Sequence, residues 1–351
     1  MKSWSLAICL FVLLTSWGCG QKPTQLREFK GERFIMDTFV EITVVCEDEQ
    51  KGKATLEKAF AVFEKINDLT DRFPKDGQRA SVASDVIRIN ENVGNKPVVV
   101  SADTINIIQR SQYYADLSGG AFDITIGPVM DVWGFGKSGQ NVPTDEEIKK
   151  ALSLVDYRKV VLESTSSTVF LSEPDMSLDL SGVAKGYATD MAVKALRELG
   201  VKHAIINAGG NVYALGGKPD GSPWRIGVQD PRGDKGIIAI LSLKNAAAVT
   251  SGDYQRYFEQ GGVLYHHIVD PSTGQPARDL MQTTVVAESA ADADILSTLL
   301  FVLGPQQGMN FAEGLPGTGA IFVSSDKKLS FTDNLSEQME LTGDGGYMPA
   351  K

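Results

Sequence analysis

Residues 178–190, with the sequence LDLSGVAKGYATD, constrain the fold of this chain more than any other segment. The apolar Leu178–Leu180 predict a strand, and the small residues after them predict a turn into a helix from Ala184 to Leu199. The N-terminus of such a helix carries unpaired amides and about half a positive charge, so it can bind a phosphate. Lys185 adds a full positive charge. The alternative is a glycine-containing turn with a solvated lysine.

Asp179 in the same segment points to a second component of the ligand. A carboxylate beside a phosphate is favourable only where it accepts a hydrogen bond from a ligand hydroxyl or amine, or helps to hold a cation. A nucleotide bound together with a metal ion is the simplest ligand that meets these conditions.

A helix near the C-terminus carries further oxygen donors. The run from Ala293 to Gly304 is largely apolar, and Asp294 and Thr298 share one helix face because they are four positions apart. Together with backbone carbonyls, phosphate oxygens and water, a carboxylate and a hydroxyl are the ligands that Mg²⁺ prefers. Such pairs are common on helices, so the prediction of a metal site depends on the other motifs.

Two more segments supply a proton carrier and aromatic rings. His266 and His267 stand where an apolar strand ends in the Asp270-Pro271 turn, and histidine is the usual proton carrier near neutral pH. Because neighbours in a strand face opposite sides, only one of the two imidazoles is expected in a site. Residues 121–136 are rich in aromatics and glycines, and this segment either walls a flat ring or belongs to the core.

Taken together, these segments resemble the ApbE family, the FAD:protein FMN transferases of bacterial envelopes. The motifs follow the family's order from Met36 to the Asp294 helix, and three more segments add to the match: NAGGN at 207–211, WRIGV at 224–228 and TSGDY at 250–254. The resemblance implies an α+β fold, with residues 33–351 forming a single mixed-sheet domain of the ApbE kind. It also implies FAD as donor substrate, Mg²⁺ as cofactor, and FMN attached by a phosphoester to a Thr or Ser of an acceptor protein, with release of AMP.

The resemblance implies roles for individual residues. The metal would be held by the side chains of Asp294 and Thr298 and by the backbone carbonyl of Gly182, and Asp294 would be catalytic through the metal. His267 is the candidate for taking the proton of the acceptor hydroxyl, with Asp270 beside it as an orienting group. The predicted FAD contacts are Met36, Ala121, Phe122, Asp123, Asp179, Lys185 and Val269.

Two positions depart from the family's pattern. Asp37 stands where the family usually has Gly in a Met-Gly-Thr motif, and Ile124 stands where Pro is common after the Phe-Asp pair. A carboxylate at position 37 would repel a phosphate or alter the turn, so Met36 is the predicted FAD contact most affected.

Two other functions fit the same residues. In the first, the protein is an FAD pyrophosphatase, in which water replaces the acceptor hydroxyl to give FMN and AMP. In the second, it is a non-catalytic FAD-binding lipoprotein, although storage of FAD requires no metal on the pyrophosphate. For the transferase, the resemblance implies acceptors among extracytoplasmic flavoproteins, such as subunits of the Na⁺-translocating NADH:quinone reductase or of Rnf complexes.

The N-terminus predicts export and a lipid anchor. Lys2 precedes an apolar run at 6–14 that is too short to span a bilayer, so residues 1–18 are predicted to be a signal peptide. Cys19 resembles the acylated cysteine of a bacterial lipoprotein and is followed by a predicted linker at 19–32. The expected location is the bacterial cell envelope, with the protein anchored to a membrane and facing the periplasm or another extracytoplasmic space.

The lipoprotein signal is imperfect. Ser16 and Trp17 stand where an aliphatic and a small residue are usual, and plain secretion is the alternative. Of the three cysteines in the chain, Cys9 lies in the signal and Cys19 is the acylation candidate. Cys46 remains alone and is predicted to be a buried strand residue.

The charge of the chain excludes one class of partner. Its 34 Lys and Arg stand against 44 Asp and Glu, which gives a formal net charge of −10, and no basic run is present. The electrostatic footprint of a nucleic-acid-binding protein is therefore missing.

Hydrophobic periodicity and capping residues predict the remaining elements, which mix without strict β-α-β alternation. Helices are predicted at 53–69, from Ser101 to Gly119, from the capping box at Thr144, near Asp292 and near Gln306. Strands are predicted at 36–45, 160–162, 169–171, 205–206, 224–228, 237–243, 264–269, 283–286 and 320–323.

Overall fold

The computed structural model describes residues 26–73, 83–135, 139–233 and 236–350. The predicted signal peptide, Cys19 and the predicted linker up to residue 25 lie outside the described residues. Within the described ranges, no helix has the length and apolar character needed to cross a membrane.

Helices and strands are mixed along the described chain, as in an α+β fold. The helices are α1 (Glu49–Thr70), α2 (Asp85–Glu91), α3 (Ala102–Ser118), α4 (Gly127–Trp133), α5 (Asp145–Leu152), α6 (Ser181–Glu198) and α7 (Ala290–Glu313). The strands are β1 (Arg27–Ile35), β2 (Thr38–Cys46), β3 (Val98–Val99), β4 (Val160–Glu163), β5 (Thr168–Leu171), β6 (Ala204–Ala208), β7 (Asn211–Leu215), β8 (Trp224–Gln229), β9 (Ile237–Leu243), β10 (Ala246–Gly252), β11 (Tyr257–Gln260), β12 (Val263–His266), β13 (Leu280–Ala287), β14 (Gly319–Ser324), β15 (Lys328–Phe331), β16 (Met339–Leu341) and β17 (Met348–Pro349).

A nine-stranded sheet with the order β1-β2-β6-β7-β10-β13-β14-β15-β17 lies at the centre of the fold. The long helices α1, α6 and α7 pack together on one face of this sheet, and the three-stranded sheet β16-β9-β8 covers part of the other face. Because both faces of β13 are covered, its successive residues belong to different cores. Val285 packs in the core on the helical side, and Val286 packs in the core under the smaller sheet.

The segment that opens α6 differs from the prediction. The helix begins at Ser181 rather than at Ala184, and Leu178–Leu180 do not form a strand. The reason is that the Leu178 backbone pairs with a side chain. Its N–H donates to Asn90 Oδ1 over 2.8 Å, and its carbonyl accepts from Asn90 Nδ2 over 3.1 Å. These bonds satisfy the backbone without a neighbouring strand.

The linker prediction is wrong from Arg27 onward, because β1 begins there and pairs along its whole length with β2. Met36 and Asp37 form the two-residue turn between the strands, with φ angles of 57° and 56°. Positive φ at both positions matches a type I′ hairpin, whose usual signal is Asn-Gly. This turn contains no glycine, so the sequence pattern did not reveal the hairpin. The strand predicted from Met36 begins at Thr38 instead.

Smaller differences occur at other element ends. The two helices predicted near Asp292 and Gln306 are both parts of α7, which is interrupted at Gly304, where φ is 73°. The strand predicted at 264–269 ends at His266. Besides β1, the sequence analysis did not predict β3, β7, β10, β11, β15, β16 and β17, or the short helices α2 and α4. Cys46 ends β2 as a buried free thiol, which confirms its prediction.

Candidate active site

A cavity of about 680 Å³ lies where the first turns of α6 and α7 meet the β1-β2 and β6-β7 hairpins. Its volume is within the range of about 300–1,000 Å³ that is typical of small-molecule sites. Met36 lies in an adjoining pocket of about 130 Å³, which shares Asp179, Lys185 and His267 with the cavity. The other predicted site residues of the described chain line the cavity itself: Ala121, Phe122, Asp123, Asp179, Gly182, Lys185, His267, Val269, Asp294 and Thr298.

Asp294 is a buried carboxylate with little compensation for its charge. Its side chain projects from α7 toward α6, where the Gly186 N–H donates to Oδ2 over 2.8 Å. The residue is only 4% exposed, and no described cation forms an ion pair with it. Burial raises the pKa of this carboxyl, and the nearby charge of Lys185 opposes that rise. A bound cation would stabilise the ionised carboxylate at this position.

Asp294 reaches the cavity where α6 and α7 are in close contact, and this close contact depends on Gly186. A β-carbon at Gly186 would lie 2.3 Å from the Ala290 carbonyl oxygen and 2.7 Å from Asp294 Cβ. Asp190, one turn further along α6, accepts hydrogen bonds from the Ala290 N–H over 2.8 Å and the Ala291 N–H over 3.0 Å. The start of α7 is thus held against α6 by backbone contact and by a carboxylate cap.

Thr298 and Gly182 complete a group of hard oxygen donors beside Asp294. The Thr298 hydroxyl lies 3.5 Å from Ser251 Oγ, and a β-carbon at Gly182 would be 3.9 Å from Thr298 Oγ1. Among the described residues, no group of three or more His, Cys, Asp or Glu side chains is placed to hold a metal ion. A cation held here would therefore have one charged protein ligand, which suits Mg²⁺ that also binds substrate phosphates and water.

The start of α6 faces the cavity with its positive helix end and a cation. Leu180 at the N-cap makes no side-chain capping bond. The Ser181 N–H donates to Asp179 Oδ1, and the Val183 and Ala184 N–H groups donate to the Leu180 carbonyl. Among the described residues, the Gly182 N–H is therefore the first-turn amide left to bind an anion. Lys185 is one turn further along and donates from Nζ to the Ser181 carbonyl over 3.3 Å. This arrangement fits the phosphate site that the sequence predicted.

Asp179 is held by an arginine that the sequence analysis did not identify. Arg72 donates to Asp179 Oδ2 over 3.0 Å and to Asp131 Oδ2 over 2.8 Å, and the side chains of Arg72 and Asp179 are each only 9% exposed. The Ser181 N–H donates to Asp179 Oδ1 over 2.9 Å. Burial raises the pKa of Asp179, but Arg72 and the Ser181 hydrogen bond outweigh it and hold the pKa below its ordinary value. Asp179 is therefore an ionised acceptor at the cavity wall.

Asp123 has a different environment from Asp179. Its Oδ1 accepts from both the N–H and the hydroxyl of Thr125, each over 2.7 Å, and its Oδ2 accepts from the Tyr157 N–H over 2.9 Å. Burial raises the pKa of this carboxyl. Since both oxygens already bind protein donors, the Asp123 carboxylate fixes the loop that forms this part of the wall.

The aromatic segment at 121–136 divides between the site and the core. Phe122 lines the cavity, and its ring lies so close to Gly182 that a β-carbon there would be 3.0 Å from Phe122 Cε2. Trp133 is fully buried in a separate cluster with Phe135 and Val269. The segment therefore contributes Phe122 to the cavity lining and Trp133 to the core.

The two adjacent histidines face opposite sides, as predicted. His266 is buried, and its Nε2 lies 2.7 Å from the Ala277 carbonyl oxygen. His267 lines the cavity, and its Nδ1 lies 3.2 Å from the Arg256 carbonyl oxygen. Burial and the charge of Arg256 lower the pKa of His267 to about 3. With Nδ1 protonated and donating to that carbonyl, Nε2 of the neutral ring is free to accept a proton.

The predicted role of Asp270 in orienting His267 is wrong. The Asp270 carboxylate accepts instead from the N–H of Ser272 over 2.8 Å and from its hydroxyl over 2.7 Å, within the turn that Asp270 begins. An acid that closes its own turn in this way is an Asx turn. The Arg256 carbonyl takes the orienting position beside the imidazole.

Asn211 is a further site residue to which the sequence analysis gave no role. It lines the cavity and is 1% exposed, yet neither polar atom of its amide has a hydrogen-bond partner among the described residues. The amide is near enough to Asp294 to lower the pKa of that carboxyl. An unsatisfied buried polar group costs about 1–3 kcal/mol, so this amide is suited to a bound ligand. The only sequence signal was its place in the NAGGN turn at 207–211.

A model of the ApbE family matches residues 36–322 of the chain. The chain belongs to the ApbE family. An ApbE relative from Treponema pallidum, the FAD:protein FMN transferase, is 30% identical, and the match covers 96% of this chain and 96% of the relative. The FAD:protein FMN transferase from Vibrio cholerae is 32% identical over 89% of this chain and 91% of its own length.

Solved ApbE structures have the same fold. The ApbE protein from Thermotoga maritima superposes with a TM-score of 0.81 at 33% identity, covering 89% of this chain and 99% of that structure. The flavin transferase ApbE from Vibrio cholerae superposes with a TM-score of 0.78 at 27% identity, covering 90% and 100%. The predicted family, the α+β fold of the ApbE kind and the transferase class are confirmed.

Proposed function

We propose that this protein transfers FMN from FAD to a Thr or Ser hydroxyl of an acceptor protein and releases AMP, with Mg²⁺ as cofactor. The observation that carries the proposal is the presence of Asp294 and His267 in one cavity. The first is a buried carboxylate with no ion-pair partner in the described chain, and the second is a neutral imidazole. The names of the relatives support FAD as the donor.

Different residues of the cavity are proposed to bind Mg²⁺, the phosphates and the rest of FAD. The side chains of Asp294 and Thr298 and the carbonyl of Gly182 would hold Mg²⁺, which when bound neutralises charge on the pyrophosphate. The first turn of α6 and Lys185 lie where they can bind phosphate oxygens. The proposed FAD contacts are Met36, Ala121, Phe122, Asp123, Asp179, Lys185 and Val269.

His267 is the residue proposed to move the proton. Its Nε2 accepts the proton of the acceptor hydroxyl while the hydroxyl oxygen bonds to the phosphorus attached to riboflavin. The bond from that phosphorus to the oxygen bridging to AMP breaks, and AMP leaves with the electron pair. The neutral ring held by the Arg256 carbonyl is ready for this role without prior loss of a proton.

Replacing His267 with alanine should lower the kcat of transfer by about 10²–10⁴-fold, the usual contribution of a general base, while FAD affinity changes little. His203→Gln is the matched control, since His203 lies outside the cavity and its Nδ1 contacts the Gly217 carbonyl oxygen at 2.6 Å. Because the pKa of His267 is about 3, the wild-type rate should not fall as the pH drops through about 6.5, the ordinary pKa of histidine. Two results would contradict this role. One is a fall in the wild-type rate centred at about pH 6.5, and the other is a loss of FAD affinity in His267→Ala as large as its loss of kcat.

Two other activities of the same site remain as outcomes of one experiment. The purified protein is incubated with FAD and Mg²⁺, with and without a Thr-bearing extracytoplasmic subunit of an Rnf-type complex. We expect AMP release to be slow alone and to rise with the acceptor. Rapid AMP release with no response to the acceptor would indicate an FAD pyrophosphatase. FAD binding with neither product would indicate a storage protein, although storage gives no reason for the buried Asp294.

We also propose that Cys19 carries a lipid and anchors the protein to a membrane of the bacterial envelope, facing the periplasm or another extracytoplasmic space. The support is the sequence alone, namely the apolar run at 6–14 followed by Cys19. Cys19→Ser should shift the protein from the membrane fraction to a soluble or uncleaved form, because acylation provides the membrane affinity. Unchanged membrane fractionation of this variant would point to another anchor.

A further inference from the structure

Strand β8 forms one edge of the sheet β16-β9-β8, and its free side borders the candidate active site. Four consecutive residues, Ile226 to Gln229, line the cavity. Successive side chains of a strand point to opposite faces, so consecutive lining residues mean that the edge of the strand, with its backbone, faces the cavity. Among the described strands, only β9 pairs with β8.

The hydrogen bonds of β9 show which backbone groups of β8 are unpaired. The Ser242 N–H donates to the Gln338 carbonyl oxygen over 2.8 Å, on the side of β16 and away from β8. Backbone groups of an antiparallel strand alternate in direction. The partner of Ser242 in β8, Arg225, therefore directs its N–H and C=O to the free side, and so does Gly227. Ile226 between them bonds to β9.

This edge has only part of the protection that free edges usually have. Proteins cover exposed edges or place charges, prolines or bulges on them to prevent unwanted pairing. Arg225 is charged, but its guanidinium donates to Glu340 over 2.8 Å. The part that lines the cavity, Ile226 to Gln229, carries no charged residue and no proline. Its one irregularity is a register shift against β9 between Val228 and Gln229. A bare edge beside a reactive site is suited to binding an extended chain as an added strand.

The reaction itself indicates what that chain is. In the proposed function, a Thr or Ser hydroxyl of a protein must reach the phosphorus inside the cavity, so a segment of the acceptor has to enter. A strand paired with β8 would pass along the cavity wall and direct alternate side chains into it. The main-chain hydrogen bonds would also place little demand on the acceptor's sequence beyond its hydroxyl residue.

We propose that the free edge of β8, through the N–H and C=O of Arg225 and Gly227, binds the Thr- or Ser-bearing segment of the acceptor protein as an added antiparallel or parallel strand. This inference rests on the proposed function, because it names the docking surface for that reaction's second substrate. It assigns to the WRIGV segment at 224–228 a role in acceptor binding that is separate from FAD binding.

Gly227 offers a matched pair of variants. A β-carbon at this position would have the Ile237 side chain as its nearest neighbour, with Cδ1 at 2.9 Å. The Gly227 N–H is outside the β8-β9 ladder, where proline is tolerated. Gly227→Ala keeps the N–H, and Gly227→Pro removes it. With the Rnf-type Thr-bearing subunit as acceptor, Gly227→Pro should raise the acceptor KM at least tenfold over Gly227→Ala, with FAD affinity equal in both. The proposal would be overturned if the two variants had the same acceptor KM, or if Gly227→Pro weakened FAD binding as much as acceptor binding.

A second measurement leaves the enzyme unchanged and covers the case in which Gly227→Pro fails to fold. Peptides spanning the acceptor Thr carry backbone N-methyl groups on alternate residues, in two series of opposite parity. As competitors of the subunit for the wild-type enzyme, one series should lose at least tenfold in affinity and the other should not, because an added strand uses every second N–H. Equal competition by both series would overturn the edge proposal.

The failure of this proposal and the failure of the proposed function are distinguishable. If the wild-type protein attaches no FMN to the subunit, the proposed function fails, whatever the variants do. If FMN is attached but neither the Gly227 pair nor the peptide parity matters, the transferase function stands and the acceptor binds elsewhere.

Discussion

Asp294→Ala should lower FAD turnover by at least about a thousandfold, since metal stabilisation of phosphoryl transfer contributes several kcal/mol. The reason is local: Asp294 is the one acidic side chain in the proposed Mg²⁺ site, and it is buried with the Gly186 N–H donating to it over 2.8 Å. The rise in melting temperature on adding Mg²⁺ and FAD together should also disappear. Turnover is measured as AMP release at a range of Mg²⁺ concentrations.

Two more variants separate this effect from damage to the fold. Asp294→Asn keeps an acceptor for the Gly186 N–H but removes the charge, so it should remain as stable as the metal-free wild type while losing turnover. Asp292→Asn removes an acid two positions earlier that pairs with Arg110 rather than facing the cavity, and it should keep turnover. Full activity of Asp294→Ala at limiting Mg²⁺ would contradict the metal assignment.

Gly186→Ala should have the largest effect on stability. Its β-carbon would lie 2.3 Å from the Ala290 carbonyl oxygen, which belongs to the backbone and cannot rotate away. Helices α6 and α7 would have to separate, and overpacking of this kind costs about 1–3 kcal/mol or more. The same movement would displace the Gly186 N–H from Asp294, so turnover should fall as well. Urea unfolding measures the free energy of unfolding.

Gly314→Ala is the control for the general effect of adding a methyl group to a helical glycine. Gly314 ends α7 with helical dihedral angles, and its β-carbon would come no nearer than 3.3 Å to the Phe311 carbonyl oxygen. The free energy of unfolding should change by less than about 1 kcal/mol. If Gly186→Ala is as stable as Gly314→Ala, the α6-α7 contact does not determine the position of Asp294.

Local periodicity was sufficient for the parts of the site that lie within one element. The helical repeat placed Asp294 and Thr298 on one face, and strand alternation predicted that only one of His266 and His267 would face a site. The capping box at Thr144 is present in the structure, where Glu147 and Thr144 bond reciprocally. In each case the geometry depends on neighbours within four positions, which the sequence displays directly.

Contacts between distant segments were not predictable in this way. Arg72 and Asp179 are 107 positions apart, and no pattern near Arg72 indicates its partner. The apolar Leu178–Leu180 predicted a strand, but no strand forms there. The side-chain amide of Asn90 takes the place of a neighbouring strand by bonding to both backbone polar groups of Leu178. The β1-β2 hairpin was missed since its turn uses Met36 and Asp37 where glycine is usual. Each failure is a tertiary or turn-specific interaction that overrides local preference.

The central claim, transfer of FMN to a protein hydroxyl, is tested most directly by counting products. The protein, FAD and Mg²⁺ are mixed with the Thr-bearing Rnf-type subunit, and AMP and acid-stable protein-bound flavin are measured in the same samples. We expect one AMP for each flavin attached, with linkage through the phosphate, and no attachment when the acceptor Thr is replaced by Val. AMP formed at the same rate with either acceptor or with none, and without protein-bound flavin, would contradict the account.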